Sequence, residues 1–109
     1  GIAYKEPLYV LELDSNENQV IVGTENELYS NELEANELNF LLDIDLTKPI
    51  EIKAKIRYRA KEADCVLEVK DTIAKVIFKE PQRAITPGQS VVFYKDDVVI
   101  GGGKIIKKI

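Results

Sequence analysis

Residues 84–105 read AITPGQSVVFYKDDVVIGGGKI, and this stretch decides the fold. Pro87-Gly88 is a turn signal, because proline presets φ and glycine accepts the positive φ that follows. Four apolar residues come next, Val91, Val92, Phe93 and Tyr94, then an acidic reversal at Asp96-Asp97. Val98, Val99 and Ile100 form a second apolar run that ends in Gly101-Gly102-Gly103. A strand, a tight turn and a strand ending in bare backbone predict a hairpin within a closed β-structure.

Residues 74–78 and 64–69 read as two further short strands separated by a turn at Lys70-Asp71-Thr72. Cys65 lies in the second of these. With no base or second thiol nearby in sequence, it reads as a small buried apolar residue. Ahead of it, residues 50–59 carry the clearest alternation in the chain. Ile50, Ile52, Ala54, Ile56 and Tyr58 fall on one face, which in a regular strand favours the core for Tyr58 over a base-stacking platform, and a bulge would reverse that choice. Glu51, Lys53, Lys55, Arg57 and Arg59 fall on the other, with same-face neighbours about 6–7 Å apart. Four successive cations repel one another unless anions face them. Acidic neighbouring strands would meet that need, and so would a phosphate backbone, which arginine engages with a planar fork and lysine with a mobile charge.

The first half is less regular. Residues 1–6 lead in, Pro7 precedes a strand, and residues 8–13 run to a cluster of turn formers at 14–18. Residues 19–22 resume as a strand and stop at Gly23, predicting a hairpin with a longer loop. Residues 27–42 have the Glu, Leu and Ala content of a helix, and Leu38, Leu41 and Leu42 share a helical face. Against this, Leu33 and Ala35 alternate with Glu32, Glu34 and Asn36, and the reading is strand and bend. In all, about eight strand candidates without a convincing amphipathic helix predict an all-β fold. We expect a closed or partly open Greek-key-like barrel of about six to eight short strands, with residues 1–109 as a single domain.

Composition narrows the function. Apolar residues at 45% and charged residues at 31% are a globular balance rather than a disordered one. The longest apolar runs are four residues, far short of the roughly 20 that cross a bilayer. No membrane partner is expected. One cysteine cannot close an internal disulfide, and no signal-like stretch opens the chain, so the expected setting is reducing and cytoplasmic. Without histidine, the usual general base and the commonest zinc ligand are both missing. These absences argue for a piece of a larger protein rather than a self-sufficient enzyme. The net charge of −4 is unevenly spread: residues 1–48 hold 2 basic and 11 acidic side chains, and residues 49–109 hold 13 basic and 8 acidic. The second half can therefore display a basic face on an acidic chain.

Gly101-Gly102-Gly103-Lys104 imitates a phosphate loop but departs from it twice. Val98 stands where the first glycine belongs, and Ile105 where a Ser or Thr must follow the lysine. Strand packing at a barrel corner accounts better for these glycines. Asp96 and Asp97 read as turn formers rather than an acid–base pair.

Three blocks in order, Lys55-Ile56-Arg57-Tyr58-Arg59, Ala84-Ile85-Thr86-Pro87-Gly88-Gln89-Ser90, and Phe93-Tyr94 followed by residues 100–105 (IGGGKI), resemble the C-terminal part of the bacterial tRNA 2-thiouridylases. This is the MnmA/TrmU family, also known as the tRNA (5-methylaminomethyl-2-thiouridylate)-methyltransferases. Gly1-Ile2-Ala3 is similar to the close of the family's glycine-rich GQRKGLGIA segment, and residues 7–10 and 28–30 fall where it has similar residues. The resemblance implies an ATP-dependent enzyme that installs sulfur at carbon 2 of the wobble uridine of tRNA, receiving it as a persulfide from an upstream donor. Its ATP site and catalytic cysteines lie outside these residues, and Cys65 is not in the sequence context of either cysteine. The resemblance further implies a β-barrel like domain II of translation elongation factors. Such a barrel is non-catalytic alone, helps to hold tRNA, and adjoins the catalytic and central domains. The relatives' glycine in the hairpin turn is replaced here by Lys95-Asp96-Asp97. The expected phosphate contacts are Lys53, Lys55, Arg57 and Arg59, with Lys104, Lys107 and Lys108 as further candidates. A structural role, in which the barrel packs on the catalytic domain without touching RNA, is the alternative.

Overall fold

The computed structural model describes residues 9–14, 19–23 and 28–109. The expected lead-in at residues 1–6, Pro7 and the turn at 15–18 lie outside the described residues. Strands β1 (Tyr9–Asp14) and β2 (Gln19–Gly23) form the expected hairpin, antiparallel and with a register shift between Val10 and Glu12. They make a two-stranded sheet of their own.

The remaining six strands are β3 (Tyr29–Phe40), β4 (Ile50–Lys55), β5 (Ala63–Lys70), β6 (Ile73–Arg83), β7 (Ser90–Lys95) and β8 (Val98–Lys108). They close into an antiparallel barrel in the order β3-β6-β5-β4-β7-β8, with β8 pairing back onto β3. Three consecutive strands, β4, β5 and β6, lie side by side, and β3 returns beside β6, which is the Greek-key pattern. The all-β expectation is borne out, and no α-helix occurs among the described residues.

Local chemistry places the turns. Asp96 and Asp97 both take positive φ, 51° and 65°, between the paired Lys95 and Val98. Two consecutive left-handed residues make the primed turn that suits the twist of a hairpin, and Asp tolerates it. Asp71 does the same at φ 56° between β5 and β6. At Pro87-Gly88 the Gln89 amide donates to the Thr86 carbonyl at 3.3 Å, and Gly88 holds φ 92°. That is the proline–glycine turn read from the sequence.

Residues 29–40 are strand, as read, despite their helical composition. β3 is paired by β6 on one side and β8 on the other, and it absorbs the crossing with register shifts and a positive φ at Glu37. Inside the barrel, Leu33, Ile52, Leu67, Val76, Val91 and Phe93 belong to one continuous buried cluster. Cys65 is also buried there, as expected. Burial pushes its thiol up to about 12 from the ordinary 9.0, with the Asp64 carboxylate adding to the effect. The neutral thiol is thus favoured in the folded chain. Its contribution to stability is complete below pH 9 and is lost as pH climbs toward 12. We expect Cys65 to resist thiol-modifying reagents at pH 8 until denaturant is added. Rapid labelling of the native chain would contradict its place in the core.

One expectation is corrected. β4 stops at Lys55 although the alternation continues to Arg59, because β5 must reverse: Ala54 already pairs with Ala63. Ile56 still turns inward, but Tyr58 does not enter the core; it is 92% exposed.

Candidate nucleic-acid interface

The barrel presents the basic residues of 53–59 in two parts. Lys53 is exposed on β4, flanked in register by Tyr94 of β7 and Asp64 of β5. Lys55 is half-buried beside Val92, and its ammonium sits over the Tyr58 ring, 5.6 Å from the centroid. Beyond Lys55 the chain makes a turn, closed by the Ala60 amide donating to the Arg57 carbonyl at 3.1 Å. Tyr58 and Arg59 occupy its two central positions, and both are exposed. None of Lys53, Lys55, Arg57 and Arg59 forms an ion pair with a carboxylate among the described residues.

Arg57 does a different job from its neighbours. One guanidinium nitrogen donates to the carbonyls of Arg83 and, at 3.2 Å, of Ala84. Ala84 holds φ 54° where β6 ends, so this side chain fastens the β4–β5 turn to a strained corner of the next loop. Charge-assisted bonds of this kind are about twice as strong as neutral ones. They fix the base of the turn from which Tyr58 and Arg59 project.

The candidates on β8 divide. Lys104 is exposed and pairs in register with Ser90 of β7, two strands from β4, or roughly 10 Å at the usual strand spacing. Lys107 points to Glu34 of β3 at 3.3 Å, and Lys108 lies opposite Leu33. Both are past the end of β7, where β8 continues beside β3. The register thus brings Lys55, Arg57, Arg59 and Lys104 toward one end of β4, β7 and β8, leaves Lys53 farther along β4, and sets Lys107 and Lys108 apart.

Two shallow pockets flank Tyr58. One of about 270 Å³ is lined by Lys55, Arg57, Tyr58, Ser90, Val92 and Tyr94. Another of about 290 Å³ is lined by Ile56, Arg57, Tyr58, Gln89 and Ser90. Sequence reasoning set Tyr58 aside as a core residue and missed Gln89 and Ser90 as surface features. The turn-forming Pro87-Gly88 just before Gln89 was the available signal. Farther along β4, a cleft of about 350 Å³ mixes Lys53, Lys79 and Lys95 with Glu51, Asp64, Asp96 and Asp97. That end is balanced rather than basic.

The described residues do not fit ATP at the triple glycine. Gly101 pairs with Phe40 on one side and Phe93 on the other, so the segment is strand rather than an open phosphate cradle. No three metal-ligating side chains converge among the described residues. No helix there is long and apolar enough to cross a membrane.

A family model described as the aminomethyltransferase beta-barrel domain matches residues 30–105, the six-stranded barrel almost end to end. The chain belongs to that family. This aminomethyltransferase-type barrel is also similar to curated bacterial proteins. The tRNA-specific 2-thiouridylase MnmA of Acetivibrio thermocellus is 54% identical over 106 residues, 96% of this chain and 30% of that protein. The protein of the same name in Halothermothrix orenii is 49% identical over 99% of the chain and 30% of its own length. That of Pseudomonas fluorescens is 48% identical over 92% of the chain and 28% of its length. The chain therefore spans under a third of these relatives. The resemblance read from its sequence blocks is borne out.

Proposed function

We propose that this barrel is the tRNA-binding accessory part of an ATP-dependent enzyme that transfers sulfur to carbon 2 of the wobble uridine in tRNA. It carries out no chemistry alone. ATP, the catalytic cysteines and the persulfide-derived sulfur belong to the catalytic and central parts of that enzyme, in the cytoplasm. The observation that carries the reading is the row of cations from Lys53 to Arg59, without carboxylate partners among the described residues, on a chain whose relatives are named as tRNA-specific 2-thiouridylases. Lys53, Lys55 and Arg59 engage phosphates, Lys104 extends the track across β7, and Arg57 adds charge while bracing the turn. Lys107 and Lys108 contribute at the margin, because Glu34 already faces Lys107.

The test spares Arg57, whose loss would disturb the loop. Lys53→Gln combined with Arg59→Gln, in the full-length enzyme, is expected to weaken tRNA binding. The slope of log affinity against log salt should fall by about 0.7–0.9 for each phosphate no longer neutralised. An unchanged slope and affinity would favour a second reading, in which the barrel only packs against the rest of the enzyme. A specific feature supports that reading: Leu41, Leu42, Val98 and Val99 are all exposed where β3 ends and β8 begins. This apolar rim lies at the opposite end of β8 from its lysines, so packing there and RNA binding at the β4–β5 turn are compatible.

A further inference from the structure

We infer that Tyr58 is a stacking platform for an unpaired nucleobase of the bound RNA; this rests on the RNA-binding reading above and adds a residue and a mode of contact. An aromatic ring that is 92% exposed recovers almost none of the burial free energy that makes tyrosine useful in a core. Here the ring stands at the tip of a turn held closed by the Ala60–Arg57 hydrogen bond and braced by the Arg57 guanidinium on the carbonyls of Arg83 and Ala84. A ring on a braced turn loses little freedom on binding.

The surroundings select the partner. Lys55 covers one side of the ring from 5.6 Å, and Arg57 and Arg59 flank it in sequence. The two pockets beside Tyr58 join apolar surface from Ile56, Val92 and Tyr94 to the cationic heads of Lys55 and Arg57. A π-faced polyanion matches both features. Single-stranded RNA binders combine a cationic track with aromatic rings for this reason, since every base has a face to stack. The pocket beyond the ring offers Gln89 and Ser90 at its edge, which present hydrogen-bonding groups to the rim of a stacked base. A paired base within a helix has no free face, so the contact discriminates single-stranded or looped RNA from duplex. The phosphates on either side then fall to Lys53, Lys55 and Arg59.

The experiment titrates this chain, by fluorescence anisotropy, with a labelled single-stranded RNA of about 12 nucleotides, a length within the site sizes of OB-fold single-strand binders. A blunt RNA duplex serves as the comparison. Tyr58→Ala is expected to weaken single-strand binding by about 5- to 150-fold, the range for removal of one base stack, while the salt slope and duplex binding stay unchanged. Tyr58→Phe keeps wild-type affinity. The wild-type chain has no tryptophan, so Tyr58→Trp supplies a lone indole whose emission the stacked base quenches. Single-strand binding by Tyr58→Ala within twofold of wild type would overturn the stacking role and leave the phosphate track intact. Wild-type binding that is absent at every salt concentration would overturn both. Binding of a polyglutamate peptide that shows the same sensitivity to Tyr58→Ala would assign the ring to acidic peptides instead, against the proposal.

Discussion

Gly101→Ala is expected to lower the thermal midpoint of the chain by about 5–20 °C. A methyl carbon at Gly101 would sit 2.5 Å from the Asn39 carbonyl oxygen and 2.8 Å from Cδ1 of Phe40. The first of these is backbone and cannot swing aside. Gly101 pairs with Phe40 across the β3–β8 seam, the contact that closes the barrel. The added methyl must therefore push the two closing strands apart or distort β8. Overpacking of this kind costs about 1–3 kcal/mol, and in a domain of this size each kcal/mol moves the midpoint by about 4–8 °C. Gly88→Ala is a useful contrast, because nothing lies within 4 Å of its methyl position and the cost comes only from φ 92°. That penalty is about 1–2 kcal/mol. A Gly101→Ala chain that melted with wild type would show that the seam is not closed as described.

The same seam shows where sequence was a sufficient guide and where it was not. Turn chemistry is local, so Asp96-Asp97, Asp71 and Pro87-Gly88 announced their turns from the residues alone. Burial parity is nearly local, and the alternation at residues 50–56 put Ile52, Ala54 and Ile56 inside correctly. The end of a strand is not local. β4 stops where β5 needs it to, at the Ala54–Ala63 pair, and this relation across the hairpin reversed the expectation for Tyr58. Residues 29–40 illustrate the opposite case. Their helical propensity, a few tenths of a kcal/mol per residue, yields to pairing along both edges of the strand. The basic row was legible as charge, but the role of Arg57 was not, because Arg83 and Ala84 are 26 and 27 residues away along the chain. Sequence identified the cations; the fold separated the brace at Arg57 from the exposed pair at Lys53 and Arg59.

Phe93→Ala is expected to destabilise the chain by about 3–5 kcal/mol, read as a lower midpoint in denaturant unfolding. Phe93 is fully buried, and its ring stacks on Phe40 with centroids 5.9 Å apart and 16° between planes. It also holds register on both sides, opposite Ala54 of β4 and Gly101 of β8. Those neighbours are small, and the large ring fills the volume they leave. Small domains have only about 5–15 kcal/mol in total, so the variant would sit near the limit of folding. Phe93→Leu, which restores most of the volume, should recover the larger part of the loss. A double-mutant cycle with Phe40→Ala should show about 0.5–1.5 kcal/mol of coupling from the ring pair. A loss below about 1 kcal/mol for Phe93→Ala would be too small for a filled core position and would count against the register that places it there. That register also carries the functional consequence. The β4–β7 pairing at Ala54 and Phe93 is continued by Lys55 and Val92, the pair next to the turn bearing Tyr58 and Arg59. Under the proposed RNA-binding role, loosening Phe93 should therefore weaken RNA binding without removing a single cation, whereas Arg59→Glu, at an exposed turn position, should weaken it without lowering stability. Measuring both properties on both variants separates the scaffold from the contact surface.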